Sequence, residues 1–401
     1  MEKSKNTNFN KMKKAILLLP LFILAASVAG ILFIEKDNST VFEPTQKDEI
    51  KKLERQTITF EAPIENYFAL DAAGAVSHEK LRIYPILGSP DYLSNHASLG
   101  ELINLSEALA TQKIRILEMG ETDSQRQPDV VFNPHSMNGG SILPLNVEPN
   151  SAAGRAYAEG ATVNTLTIEN LSNDTVYIMA GDVVQGGRQD RVIAEDIIAM
   201  PNSGKIAIPV FCVEPSRWNY RNKPAGTQKK DEDQIFAFTG YFNVASNSIR
   251  HTVKHQKNQS EVWAKVGDMR TRHNVAGSTS TYGDLASSKS YNKRSQAYLD
   301  GLEGVFENSD NVVGCLVVSG DQVLGCDIFG TSSLFKKQYK ALIHAYVSEA
   351  ITYGKKIQLS DEEVEDYFNA SYKKYFSSQD KDKELELKFV HDGKIVHFTD
   401  I

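Results

Sequence analysis

Apolar residues recur along this chain with two different periods, and the change from one to the other outlines the architecture. From Thr57 the pattern is that of short strands. Thr57–Glu61, Leu81–Leu87 and Lys113–Met119 are apolar or alternating, which sorts side chains onto the two faces of an extended backbone. Between the last two, Ser98 and Glu101 have the spacing of a capping box, and Leu102, Ile103, Leu105 and Leu109 supply a helical apolar stripe. Strands resume at Val163–Glu169, Thr175–Ala180, Val192–Met200 and Lys205–Glu214, with a polar turn at Asn170–Asp174.

After the charged loop Lys223–Asp233 the helical period dominates. Glu261–Arg272 follows an N-cap at Ser260, and Asn292–Leu302 is a second helix. In Leu334–Tyr353 the residues Phe335, Tyr339, Leu342, Ile343, Tyr346 and Val347 share one side, and Gly354 stops the helix. Ser360 and Glu363 cap another helix whose tyrosine-rich face reads as core. Val312–Val318 and Val323–Phe329 form a hairpin, as do Leu385–Val390 and Ile395–Phe398 around Asp392-Gly393. No internal repeat is visible. The pattern predicts an α+β fold, with a β-rich first half (a sandwich or barrel-like sheet) and a helix-rich second half carrying two β-hairpins.

The termini add an organisation. Residues 1–14 are a basic end containing Lys3, Lys5, Lys11, Lys13 and Lys14, and residues 15–34 are uncharged and apolar. Such a run spans roughly 30 Å as a helix, the thickness of a bilayer core. Lysines before it hold that end in the cytoplasm and send the remainder across. Ser27-Val28-Ala29 has the shape of a signal-peptidase site, so a retained anchor and a cleaved signal peptide are both open. Ile31–Ile34 continue the apolar run and favour the anchor. The expected partner is therefore the membrane, with the bulk of the chain outside the cytoplasm, or secreted or periplasmic after cleavage. Residues 35–56 form a tether, 57–377 the main α+β domain with a long loop or insertion at 121–159, and 378–401 a C-terminal hairpin.

Composition narrows the function. The net charge is −7, with 51 acidic against 44 basic residues, so nucleic-acid binding by bulk electrostatics is excluded. His251 and His255 are four apart but lack the glutamate of a zinc-protease motif, and no metal site or cofactor is indicated. Serine-hydrolase and thioredoxin-like motifs are absent.

Candidate chemistry concentrates between Gly181 and Tyr220. Gly186 and Gly187 precede Arg188, Gln189, Asp190 and Arg191. Paired glycines can turn the backbone into a concave cluster of amide groups that binds an anion, and the arginines can grip a phosphate or carboxylate. The plainer alternative is a β-bulge or turn with surface arginines. A strand at Lys205–Glu214 puts Cys212 and Glu214 on one face, and Pro209 marks an edge or bulge. Glu214 is an acid/base or ligand-binding carboxylate, or the anion of a structural pair with Arg188, Arg191 or Arg217. Cys212 is a nucleophile if a base arrives from elsewhere, and otherwise a buried filler. Trp218 and Tyr220 can stack on a ring or cover the sheet end. With a loop at Gly320-Asp321, Cys315 faces Cys326 within disulfide reach.

The run from Gln185 to Tyr220, together with Gln259-Ser260-Glu261-Val262-Trp263, Ser278-Thr279-Ser280-Thr281 and the segment from Val312 through Ile351, resembles a family named for its genomic association with ADP-ribosylglycohydrolases and rhodanese-phosphatase proteins. The resemblance covers roughly residues 60 to 377. It implies a domain of unknown function, a link to ADP-ribose or nucleotide-derived ligands, and a shared site on Gln189, Arg191, Cys212, Glu214, Arg217 and Trp218. Three expectations follow. The first is a binding domain for a small anionic or sugar-phosphate-like ligand. The second is a hydrolase or transferase on a nucleotide-sugar or ADP-ribose-like substrate. The third is a structural cell-envelope protein with no small ligand.

Overall fold

Two long hairpins and a curled sheet organise the chain. The computed structural model describes residues 67–118, 164–217, 237–277, 279–377 and 387–401. The apolar segment 15–34, the strand expected at Thr57–Glu61, the loop 121–159 and residues Trp218 and Tyr220 lie outside them. Among the described residues, no helix is long and apolar enough to cross a membrane.

The chain enters through β1 (Phe68–Leu70), β2 (Val76–His78) and β3 (Leu81–Gly88), then α1 (Pro90–His96), β4 (Leu102–Asn104), α2 (Leu105–Ala110) and β5 (Ile114–Glu118). It continues through β6 (Thr165–Asn170), β7 (Thr175–Ile178), β8 (Asp182–Gly186), β9 (Arg191–Ile193), β10 (Ile197–Ala199), β11 (Ile206–Cys212) and β12 (Phe238–Val244). The second half holds α3 (Asn247–His251), α4 (Gln259–Arg272), α5 (Lys289–Leu302), β13 (Val312–Ser319), β14 (Gln322–Phe329), α6 (Ser332–Tyr353), α7 (Asp361–Ser377), β15 (Lys388–His391) and β16 (Lys394–Asp400).

A seven-stranded sheet runs β1-β3-β13-β14-β16-β15, with β2 also on β3. Its strand β13 is buried at all eight positions because both faces are covered. Val317 and Cys315 face α6, where Leu342, Ile343 and Tyr346 are fully buried. Leu316 and Val318 face Val364 and Phe368 of α7. The C-terminal hairpin is part of this sheet, since β16 pairs with β14. A six-stranded antiparallel sheet runs β12-β8-β9-β11-β6-β5. An antiparallel bridge between Leu117 and Ala237 joins its two ends, so it curls into a barrel-like form around Ile116, Leu166, Ile168, Val184, Ile193 and Val210. The small sheet β10-β7-β4 is hydrogen-bonded to neither, and its Val176, Ile178, Ile197 and Ala199 pack into the barrel's core.

Four expectations change. The cap of α4 is Asn258, not Ser260, since the Asn258 side chain accepts from the Ser260 and Glu261 amides. Ser98 and Glu101 do not start a helix. Leu102–Asn104 pairs in parallel with β7 instead, and Asn104 caps α2 by accepting from the Glu107 amide at 2.9 Å. Tertiary strand pairing overrides the local capping signal here. The strand expected at Val192–Met200 splits into β9 and β10, which belong to different sheets. Finally, Cys315 and Cys326 are both free and buried. A register shift between Val317 and Val318 sets Cys315 opposite Asp327 and Leu316 opposite Cys326. The slip of one residue sends the two thiols to opposite faces of the sheet.

A thiol-specific reagent applied to the unreduced, denatured chain should therefore count all three cysteines, and the folded chain should react slowly. A count of one would restore the disulfide.

Candidate functional site

The glycine-rich turn and the end of β11 meet in space. β9 pairs with both β8 and β11, and its register places Arg191 opposite Cys212. Gly186 and Gly187 both have positive φ, at 142° and 46°. A Cβ on Gly187 would lie 2.6 Å from the Phe238 ring and 2.7 Å from Glu118 Oε1, so the close approach there requires glycine. The amides of the turn donate to separate acceptors within the protein. Gly186 N–H donates to Asp190 Oδ1 at 3.2 Å, and Arg188 N–H donates to Glu118 Oε1 at 2.8 Å. The amides of the turn are thus taken one by one, two by the protein's own carboxylates and the Gly187 N–H by the Ala237 carbonyl at 3.4 Å.

The strand end closes over the same turn. Arg217 donates to the carbonyls of Gly187 and Gly186 at 2.8 and 3.2 Å. It also meets Glu214 Oε2 at 2.6 Å and Asp190 Oδ1 at 3.5 Å. Glu214 Oε2 accepts from the Asp190 amide at 3.0 Å, and its carbonyl accepts from Gln189 Nε2 at 2.7 Å. Thr281 donates to Asp190 Oδ2 at 2.8 Å. Arg191, with no exposed surface, reaches Gln189 Oε1 at 3.3 Å and Glu118 at 3.5 Å. Gln259 at the start of α4 both donates to and accepts from the backbone of Cys212, each at 2.8 Å. It stands in for a neighbouring strand where β6, which pairs only with Ile206–Pro209, has ended.

Burial sets the chemistry. It pushes the Cys212 thiol up to about 11, with Arg191 opposing and Glu118 and Glu214 reinforcing, so the thiol stays protonated at neutral pH. Burial also pushes Glu214 up, but the hydrogen bonds from Arg217, Thr279 and the Asp190 amide prevail and hold its carboxyl below the usual range. Gly186, Gly187, Gln189, Arg191, Cys212, Glu214 and Arg217 thus form one cluster. Arg188 sits half-buried on the turn. Glu118, Thr281 and Gln259 complete the cluster from distant parts of the chain.

The family model for ARPP-1, the ARG and Rhodanese-Phosphatase-superfamily-associated Protein domain, matches residues 69–399. The chain belongs to this family. No curated protein and no solved structure matches the chain. The ARPP-1 match runs into β16 and so includes the C-terminal hairpin. Of the sequence pieces that carried the resemblance, Gln259 and Thr279 meet the β11 end at Cys212 and Glu214, and Thr281 meets the turn at Asp190.

A second buried polar network in this ARPP-1 domain escaped the sequence reading. His397 Nδ1 lies 2.9 Å from Asp196 Oδ2, and its Nε2 lies 3.1 Å from Asp327 Oδ1. Both ring nitrogens face carboxylate oxygens, so both donate and the ring is an imidazolium. Burial lowers its pKa, but Asp196 and Asp327 outweigh burial and raise it. Arg250 makes a two-pronged contact with Asp327 at 2.6 and 3.2 Å, and Tyr346 also donates to it. The Phe329 ring stacks on His397 with centroids 4.5 Å apart. Two carboxylates face two cations, and the chain of charges ties the β9–β10 connection to β14, β16 and α3. The His251 and His255 rings, on and just after α3, have centroids 4.9 Å apart and are tilted by 48°. Among the described residues no group of side chains is arranged to hold a metal ion.

The His397 contribution carries a definite sign. Its stabilisation is complete below the unfolded imidazole value of about 6.5 and is lost as pH rises through the raised folded value. Urea melts from about pH 6 to about pH 9 should show the wild type losing stability relative to His397→Gln as pH rises. Parallel pH profiles would contradict the imidazolium assignment.

Proposed function

We propose that this ARPP-1 domain is a binding module held outside the cytoplasm by its N-terminal segment, and that the glycine-arginine turn and the β11 end form its clasp. One observation carries the clasp. The turn amides and Arg217 are engaged by internal carboxylates and carbonyls, so an external anion would have to displace Glu118, Asp190 or Glu214 from buried partners. Removing one member of a buried pair strands the other, at about 3–5 kcal/mol. The small anion expected at the turn therefore loses support there.

The enzymatic alternative gains little from the same geometry. A protonated Cys212 is a poor nucleophile. A Glu214 held ionised by Arg217 has no proton to give and little basicity to offer. What supports a binding role lies beside the barrel. An open cleft of about 1160 Å³ is bounded by α2, β12, α6 and the stretch after α5. Its volume is at or above the upper end of the ~300–1,000 Å³ usual for small-molecule sites. Extracytoplasmic placement rests on the lysines that precede the apolar run 15–34.

Thermal melts of the full chain with phosphate, ADP-ribose and glucose 6-phosphate test the clasp. Ligand at about 100 times its Kd adds ~2.7 kcal/mol of stability. The clasp reading predicts no rise in Tm that depends on the turn. A rise that Arg188→Ser removes would put an external anion on the turn and overturn it.

A further inference from the structure

Five carboxylates are buried among the described residues, and one of them lacks a counter-ion. Glu118, Asp190, Glu214 and Asp327 each meet an arginine, at 3.5, 3.5, 2.6 and 2.6 Å respectively. Asp182, at the start of β8, meets no cation among the described residues. Its Oδ1 accepts from the Tyr241 hydroxyl at 2.7 Å and its Oδ2 from the Met179 amide at 2.9 Å. A carboxylate taken out of water with only neutral donors around it takes up a proton rather than stay charged.

The charges around Asp182 do not supply what it lacks. Burial is the largest influence on its carboxyl and pushes it up to about 7. Asp196, on the β9–β10 connection, adds to the rise, and Arg250 of α3 opposes it. The stem of Arg250 lies against Gly181, with Cγ 3.0 Å from where a Cβ would stand, but its guanidinium is taken by Asp327. Tyr177 of β7 is also near Asp182, and its hydroxyl donates to Asp196 at 3.0 Å. His397, the other cation of this network, lies between Asp196 and Asp327. Lys254 acts on Asp196 and reaches the Thr399 carbonyl at 3.3 Å.

Tyr241 connects this proton to the rest of the molecule. Its ring packs against both the core around α6 and the barrel core, and it lines the cleft. The ladder between β12 and β8 slips there, between Tyr241 and Val244, so few strand bonds hold that stretch. We infer that Asp182 and Tyr241 form a proton-controlled latch on β12, which holds the cleft wall while Asp182 carries a proton and loosens it once the carboxyl ionises. With the proton on, Met179 and Tyr241 satisfy a neutral acid. With the proton off, the charge is stranded beside Asp196, and water reaches it by way of the slipped stretch of β12. The folded value lies above the unfolded one of about 3.9. The penalty of ionising Asp182 is therefore absent below the unfolded value, grows as pH rises and is complete above the folded value.

Infrared difference spectra of the full chain in dodecyl maltoside and heavy water, between about pH 6 and about pH 8, test the proton. The expected result is a protonated-carboxyl band that fades with a midpoint near 7 and is missing in Asp182→Asn. Hydrogen exchange, corrected for its intrinsic rise with pH, tests the latch. Protection of Phe238–Val244 should fall about tenfold over the same range in the wild type and stay level in Asp182→Asn, with β13 unchanged in both. Tyr241→Phe removes a donor from the ionised carboxyl and should move the midpoint to higher pH, and this variant serves alone if Asp182→Asn fails to fold. The latch is overturned by a carboxyl band that Asp182→Asn leaves unchanged, by a β12 response that survives that substitution, or by a midpoint that Tyr241→Phe leaves in place.

Discussion

Glu214 lies fully buried at the end of β11, and the rest of the site follows from how that charge is held. A lone carboxylate there would pay the full penalty of leaving water. Arg217, three residues on, returns across the strand end to meet it, and the Asp190 amide and Thr279 add donors. The same guanidinium reaches both glycine carbonyls of the β8–β9 turn. One side chain thus ties the turn, the strand end and the charge together. The glycines are required because the backbone must approach Glu118 and Phe238 too closely for a Cβ.

The two buried networks divide the molecule between them. The clasp secures the curled sheet where β8, β9 and β11 meet. The chain Arg250–Asp327–His397–Asp196 secures the β9–β10 connection to the seven-stranded sheet and α3. Both place ionised groups in apolar surroundings, and both satisfy them with opposite charges and hydrogen bonds. Such networks specify which surfaces dock, because a misplaced partner leaves a charge stranded. Apolar burial alone is less selective.

The helices and long hairpins were legible because their periods are strong and local. α6 shows its buried stripe, and Ser360 and Glu363 do form the reciprocal cap expected of them. Elements that depend on distant partners were not. Leu102–Asn104 becomes a strand because β7 is beside it, and nothing nearby in sequence says so. β12 contains Gly240 and two register shifts, which erase the alternation that would have marked it. The cysteine register failed for the same reason, since one bulge outweighs a correct turn. At the site, Gly186–Arg191 and Cys212–Arg217 stood out as local runs of unusual composition. Glu118 and His397 sit in strands of ordinary appearance, and only folding reveals their partners.

The central claim is that Glu214 and Arg217 exist for each other. A double-mutant cycle with Glu214→Gln, Arg217→Met and the pair measures this directly through urea unfolding. The account predicts large single losses and a double variant more stable than their sum implies, with a coupling of about 2–3 kcal/mol. Additive losses would mean that each side chain acts alone, and the clasp would not be the organising contact.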